Sequence, residues 1–296
     1  MFYSFNIACV GPVKAGKSSL IHSANVALKQ LVGFNNRVNT GHALLEQGLC
    51  IRNVISESTD GTKTGSYDVY KMMDGEFHAG RTSYKGELRF MDTAGMNLEK
   101  PGAIRWKDRI VQDEPGIRTS IKAQLVDVAI PDVTLFVFDS VDLFERMSGI
   151  GGKRNIKAFL KQYTPLIEAI RTVLPHHPFL VVLTKLDILQ KERQGDSLED
   201  IKKEMKSEVQ HVFHDVSSIR FVTNYTIPSK KEKEDFAALE EKATRKGTER
   251  DEYMAQIEKW QRMNEEHMEL LFLATNAARD IQEKCKACAE KTCALM

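Results

Sequence analysis

Residues 11–18 read Gly-Pro-Val-Lys-Ala-Gly-Lys-Ser, which fits the spacing G-x-x-x-x-G-K-[ST]. The pattern is short, so its flanks decide its meaning: a buried strand has to precede it and a helix has to follow. Phe5, Ile7, Ala8, Cys9 and Val10 form an apolar run of strand length. From Ser18 onward Leu20, Ile21, Ala24, Ala27, Leu28 and Leu31 recur at helical spacing, and Gly33 ends the pattern. In that setting the loop from Gly11 through Ala15 and Gly16 to Ser19 can curl its backbone N–H groups around a polyphosphate. The helix N-terminus adds partial positive charge. Lys17 is spaced to reach the outer phosphates and Ser18 to ligate Mg²⁺.

Two further motifs choose the nucleotide. Asp92-Thr-Ala-Gly95 closes an apolar run, where the Asp92 carboxylate can hold Mg²⁺ through a water and the Gly95 N–H can meet a γ-phosphate. Thr184-Lys-Leu-Asp187 ends the run FLVVL. A carboxylate at Asp187 accepts two hydrogen bonds from N1 and N2 of guanine, a donor pair that adenine lacks. The stem of Lys185 then covers the base. D-x-x-G alone says little, but the three motifs in this order, each at a strand end, indicate GTP.

Composition sets the frame. A chain of 296 residues with 42% hydrophobic side chains has room for one large α/β domain and an appendage. A net charge of +1 with acids and bases interleaved gives no reason to expect a nucleic-acid partner. The five cysteines, at 9, 50, 285, 288 and 293, are odd in number, so a reducing, cytoplasmic compartment is expected rather than a disulfide framework. No apolar run approaches a membrane span. The opening MFYSFNIACV has no basic leader or cleavage site and reads as a strand.

Further strands are expected around Asp68 to Met73, in GELRFMDTAG, from Val133 in VTLFVFDS, from Phe179 in FLVVLTKLD, and from Ile219 to Thr223. Helical patterns at about 155–173 and 198–213 alternate with them. The expected fold is α/β, a P-loop domain with a mainly parallel sheet covered on both faces and its ligand at the carboxyl ends of the strands. From Ser229 charge is dense and a long helix from about Glu234 to Ala289 is expected, which divides the chain into 1–228 and 229–296.

With these motifs in place the chain resembles the large P-loop GTPases, of translation-factor and dynamin-related type, more than Ras-like proteins. The long intervals from Lys17 to Asp92 and from Gly95 to Val133 leave room for insertions. Within that group it resembles the interferon-induced protein 44 family, through GPVKAGKSS, KTGSYDVY, FMDTAGMNLEK, LFVFDS, LVVLTKLD and FVTNYT, over about residues 5–226. The resemblance implies a GTP-binding domain, with Mg²⁺, induced in innate defence. It also implies that Asn224 and Tyr225 form the last base-proximal loop, and that Thr64, or else Thr62, is the switch threonine that completes the metal site. The basic GAIRWKDR stretch has no counterpart in the family.

Hydrolysis is expected to be slow. Met96 stands where Ras-like proteins carry a glutamine that orients the attacking water, and a thioether cannot do so. Lys14 sits where guanylate-binding proteins carry an internal arginine finger, but a lysine is a point charge rather than a fork, and a solvated loop lysine is the plainer reading. Three functions stay open: a slow GTPase switch, a GTP-gated interaction module without hydrolysis, and an ATPase or nucleotide kinase, against which Asp187 argues.

In the long helix Tyr253, Ile257, Trp260, Asn264, His267, Leu271, Ala274, Ala278, Ile281, Cys285 and Cys288 follow a four-three spacing. The stripe is either a coiled-coil seam, with homodimerisation in the GTP state, or the face of a helix folded back on its own domain, in which case His267 is a partly exposed helix residue. The final Cys293-Ala-Leu-Met296 has the C-a-a-X form, which makes Cys293 a prenylation candidate and would tether the protein to a membrane. A frayed helix end that happens to finish this way is the equal alternative. The protein partner is not legible in the sequence.

Overall fold

The computed structural model describes residues 2–33, 68–79, 82–93, 95–100, 103–106, 109–111, 130–150, 155–174, 176–192, 197–224 and 248–294, with short helical pieces between 234 and 241. Strand β1 (Phe2–Val10) is the centre of the sheet. It pairs in parallel with β3 (Thr82–Asp92) on one side and with β7 (Val133–Asp139) on the other. The order across the sheet is β2-β3-β1-β7-β8-β9, where β2 is Asp68–Ala79, β8 is Phe179–Thr184 and β9 is Ser218–Phe221. Only β2 runs antiparallel, at the edge.

The apolar runs read as strands because both faces of the sheet are covered. Alternate residues part to opposite sides. Ala8, Val10, Phe136 and Phe138 face one core, with α2 (Ser140–Ser148), α3 (Ile156–Lys161), α4 (Thr164–Val173), α5 (Leu186–Glu192) and α6 (Leu198–Val212). This core is aromatic: Tyr163 packs edge-on against Phe136, Phe138 and Phe159. Phe5, Ile7, Cys9, Val133, Leu135 and Val137 face the other, which is mainly aliphatic and is roofed by α1 (Lys17–Gly33) and α7 (Thr248–Ala294).

Helix α7 is folded back on the domain. Leu270, Leu271, Ala274 and Ala278 are at most 2% exposed and share the core of β1 and α1. The two alanines let the helix backbone come close to the sheet. His267, expected to be partly exposed, is fully buried, because the inward stripe of α7 falls on Met263, His267, Leu270, Leu271 and Ala274. At one end Gln282 Nε2 donates to Asp132 Oδ1 at 2.9 Å, just before β7. At the other end Glu266 meets the backbone beyond β9. No helix among the described residues is long and apolar enough to cross a membrane.

Several boundaries differ from expectation. The helix expected over 155–173 is two helices. Pro165, which lacks an N–H, stands at the start of α4, so the chain turns at Gln162 and Tyr163, whose N–H groups bond to Phe159 and Leu160. Strand β2 continues to Ala79 rather than ending near Met73. The long helix begins at Thr248 rather than Glu234 and reaches Ala294. The boundary drawn at residue 228 lies outside the described residues. The basic stretch GAIRWKDR holds β5 (Ala103–Trp106) and the first residue of β6 (Arg109–Val111), which form a small antiparallel sheet with β4 (Met96–Lys100).

Candidate nucleotide site

The loop from β1 to α1 has the backbone that its glycines allow. A Cβ on Gly11 would lie 2.1 Å from the Val137 carbonyl oxygen, so only glycine lets the loop leave β1 so close to β7. Gly16 has φ +87°, and a Cβ there would meet Asn224 Nδ2 and Thr184 Oγ1, each at 3.1 Å. Lys14, an exposed residue at the loop's apex, takes the left-handed φ of 63°. Ala15 is buried beneath it.

Lys17 folds over the loop. Its Nζ donates to the carbonyls of Gly11 (3.2 Å) and Pro12 (2.9 Å), and burial lowers its pKa to about 8, against the opposing pull of Asp92. Among the described residues its hydrogen-bond partners are two neutral carbonyls, which suits this buried cation to an anion. Ser18, on the first turn of α1, donates its hydroxyl to Asp92 Oδ2 at 2.5 Å. A hydroxyl and a carboxylate side by side are hard oxygen donors, the set that fits Mg²⁺. Ser19 follows on the same turn. Burial also pushes the Cys9 thiol beneath the loop well above its usual range.

The chain after Asp92 is tied to the loop. Thr93 donates its hydroxyl to the Cys9 carbonyl at 2.7 Å. The Met96 N–H donates to the Gly11 carbonyl at 3.1 Å, and the Met96 carbonyl accepts from the Val13 N–H at 3.0 Å. These bonds bring Gly95, which is buried, against the loop. Met96 is itself 1% exposed. A cavity of about 540 Å³ opens beside the loop, bounded by Pro12, Lys14, Met96, Asp142 and Arg146 among others. Arg146 is held by Asp142 at 2.9 Å and lies 3.8 Å over the Phe159 ring.

The third motif arrives from the end of β8. Thr184 Oγ1 donates to the Ala15 carbonyl at 2.6 Å, a bond across 169 residues of chain. Lys185 is left-handed (φ 61°) and its Nζ pairs with Asp139 Oδ2 at 2.5 Å. Asp139 in turn caps α2 by accepting from the Val141 N–H at 2.9 Å, so one carboxylate fixes both the lysine and a helix start. Asp187 sits half-buried in the first turn of α5. Asn224 Nδ2 lies 3.4 Å from the Gly16 carbonyl.

Gly11, Ala15, Gly16, Lys17, Ser18, Asp92, Gly95, Thr184, Lys185 and Asn224 thus gather at the carboxyl edge of the sheet, with Lys14 and Ser19 on the same loop and helix turn and Asp187 just beyond β8. Thr62, Thr64 and Tyr225 lie outside the described residues, as does the side chain of Cys293. Sequence reasoning missed Asp139, Glu266 and His267. Asp139 carried a signal, since it closes an apolar strand as Asp92 does.

The family model described as the Gtr1/RagA G protein conserved region matches residues 120–286, more than half of the chain. The chain belongs to the Gtr1/RagA G-protein family. The match begins well after the phosphate loop, so this G protein's loop motif and its family membership are independent observations, and GTP and GDP are the ligands of a G domain. No curated protein shows a significant similarity to it. Among solved structures it is similar to the translation elongation factor SelB from Methanococcus maripaludis, in complex with the GTP analogue GppNHp, at 15% identity and a TM-score of 0.32, covering 75% of this chain and 30% of that one. It is also similar to a probable GTP-binding protein engB at 14% identity and a TM-score of 0.34, covering 74% of this chain and 88% of that one. The chain therefore spans less than a third of the elongation factor's length.

Proposed function

We propose that this G protein is a nucleotide-gated switch that binds GTP with Mg²⁺ and hydrolyses it slowly to GDP. The observation that carries the reading is the 2.6 Å bond from Thr184 to Ala15, which makes the phosphate loop and the base-reading TKLD segment one site. The loop amides and Lys17 bind the phosphates, and Asp187 accepts from the guanine N1 and N2 groups. Ser18 and Asp92 would hold Mg²⁺, which supplies charge neutralisation at the phosphates.

Hydrolysis breaks the bond from the γ-phosphorus to the bridging oxygen as water attacks in line. Met96 brings no hydrogen-bonding side chain to that water, and its backbone is committed to Gly11 and Val13. The low rate follows from that. Thr64 is the candidate to complete the metal site, and Lys14 is the remaining charged candidate on the loop, although its exposure supports the plainer role of a solvated lysine.

Single-turnover hydrolysis tests the enzyme reading. A rate above that of the Lys17→Ala variant supports a GTPase, and an equal rate leaves the GTP-gated interaction module. Competition between GTP and ATP addresses the ATPase or kinase alternative. A role in innate defence rests on the resemblance to the interferon-induced protein 44 family. A homodimer in the GTP state, a further protein partner, a cytoplasmic location and a membrane tether through Cys293 are sequence-level proposals. Mass spectrometry of the C-terminal peptide from eukaryotic cells decides the last of these.

A further inference from the structure

The base side of the site is walled by an element that carries no nucleotide motif. Helix α7 places Glu266 and His267, consecutive residues, against one residue beyond β9. The Thr223 N–H donates to Glu266 Oε2 at 2.7 Å. The Thr223 carbonyl can only accept, so His267 Nε2, at 3.1 Å, is the protonated ring nitrogen.

The two bonds act on different peptide planes. The N–H of Thr223 belongs to the peptide with Val222, and its carbonyl to the peptide with Asn224. Holding both sets the backbone of Thr223 and so the direction in which the chain leaves the sheet. Val222 still follows the sheet, its N–H donating to the Leu183 carbonyl at 2.9 Å. The next residue, Thr223, gives its N–H and its carbonyl to α7 instead. The next residue is Asn224, whose side chain reaches the Gly16 carbonyl and packs where a Gly16 side chain would stand.

Packing alone does not call for this pair. Leu270, Leu271, Ala274 and Ala278 already join α7 to the sheet through apolar contact, whereas a half-buried carboxylate beside a buried imidazole costs desolvation. Their geometry is specific to the loop.

We infer that Glu266 and His267 are positioning residues for base recognition: the C-terminal helix sets the loop at Thr223 and Asn224 against the phosphate loop, and so tunes the preference for guanine. The inference rests on the guanine reading above and deepens it.

The experiment measures the affinities of GDP and ADP for the full chain and four variants. The wild type is expected to prefer GDP. Glu266→Ala and His267→Ala should each weaken GDP about tenfold and leave ADP, held mainly by the phosphate loop, within about twofold, so that discrimination shrinks. Glu266→Gln, whose amide oxygen still accepts from Thr223, should restore most of the difference, and this graded variant serves where Glu266→Ala does not fold. Leu271→Ala, an apolar deletion on the same helix, should lower the melting temperature and keep the GDP-to-ADP ratio. An unchanged ratio in folded Glu266→Ala and His267→Ala overturns the proposal, as does an equal loss for both nucleotides. A wild type without preference for GDP overturns the guanine reading first and this proposal with it, so the two failures are distinguishable.

Discussion

The phosphate side and the base side of the site are built differently. On the phosphate side Gly11, Gly16, Lys17 and Ser18 lie within eight consecutive residues, and the loop's shape follows from two steric demands, the carbonyl of Val137 behind Gly11 and the crowding at Gly16. On the base side Thr184, Asn224 and the neighbours Glu266 and His267 come from three separate places, and each holds backbone. The first arrangement draws its side chains from one short stretch of sequence. The second is an assembly that exists only when the sheet and α7 are in place. A short loop can be tested by deleting a charge, an assembly by loosening one joint at a time.

The largest expected effect falls on the phosphate side. Lys17→Ala removes the buried cation and should weaken GDP and GTP by about 100-fold or more, since hydrogen bonds to charged groups are worth about 1.5–3 kcal/mol each. The unliganded protein should keep its fold, because among the described residues the Lys17 ammonium bonds to two carbonyls of its own loop. Isothermal titration together with circular dichroism checks both halves. Unaltered affinity would break the comparison at its stronger end.

Asp187→Asn comes next, on the base side. The amide presents a donor toward the donors of guanine, so GTP should weaken by about 10- to 100-fold while xanthosine triphosphate gains. Full-strength GTP binding would mean that the base side reads nothing at Asp187.

A pH series separates the two sides without mutation. Lys17 has a pKa lowered to about 8 in the unliganded protein, chiefly by burial, and anionic phosphates must raise it. Binding therefore takes up a proton above that pH. GDP affinity should hold steady below pH 8 and fall about tenfold per unit as pH rises beyond it, until the pKa of the complex is passed. Thr184 and Asn224 do not titrate, whereas the guanine N1–H does at high pH, so the part of the slope that Lys17→Ala removes is the part that belongs to the phosphate side.

The smallest effect tests the joint between the two. Thr184→Val keeps the shape and deletes the hydroxyl that donates to Ala15, leaving a buried carbonyl unmet. Stability should fall by about 1–2 kcal/mol and GDP affinity by several-fold. Urea unfolding with and without nucleotide measures each.

How much could be read beforehand divides along the same line. The loop, the Asp92 turn and the TKLD segment were legible because each is a short pattern at the end of an apolar run. Strands β5 and β6 were not, since GAIRWKDR is charged and short and shows no period of two. The break at Gln162 was legible in principle from Pro165, yet the helical spacing on both sides masked it. His267 was misjudged because one histidine in a four-three stripe carries no mark of its depth.

Strand periodicity and motif spacing are local properties of the chain, and from them follow the mainly parallel sheet, the phosphate loop and the residues proposed to select guanine. That α7 roofs the sheet and that Glu266 and His267 grip Thr223 follows from the folded arrangement alone. Those contacts join residues 43 and 44 positions apart, and their partner is backbone, which has the same N–H and C=O at almost every residue and leaves no trace in the identity of the side chain it meets.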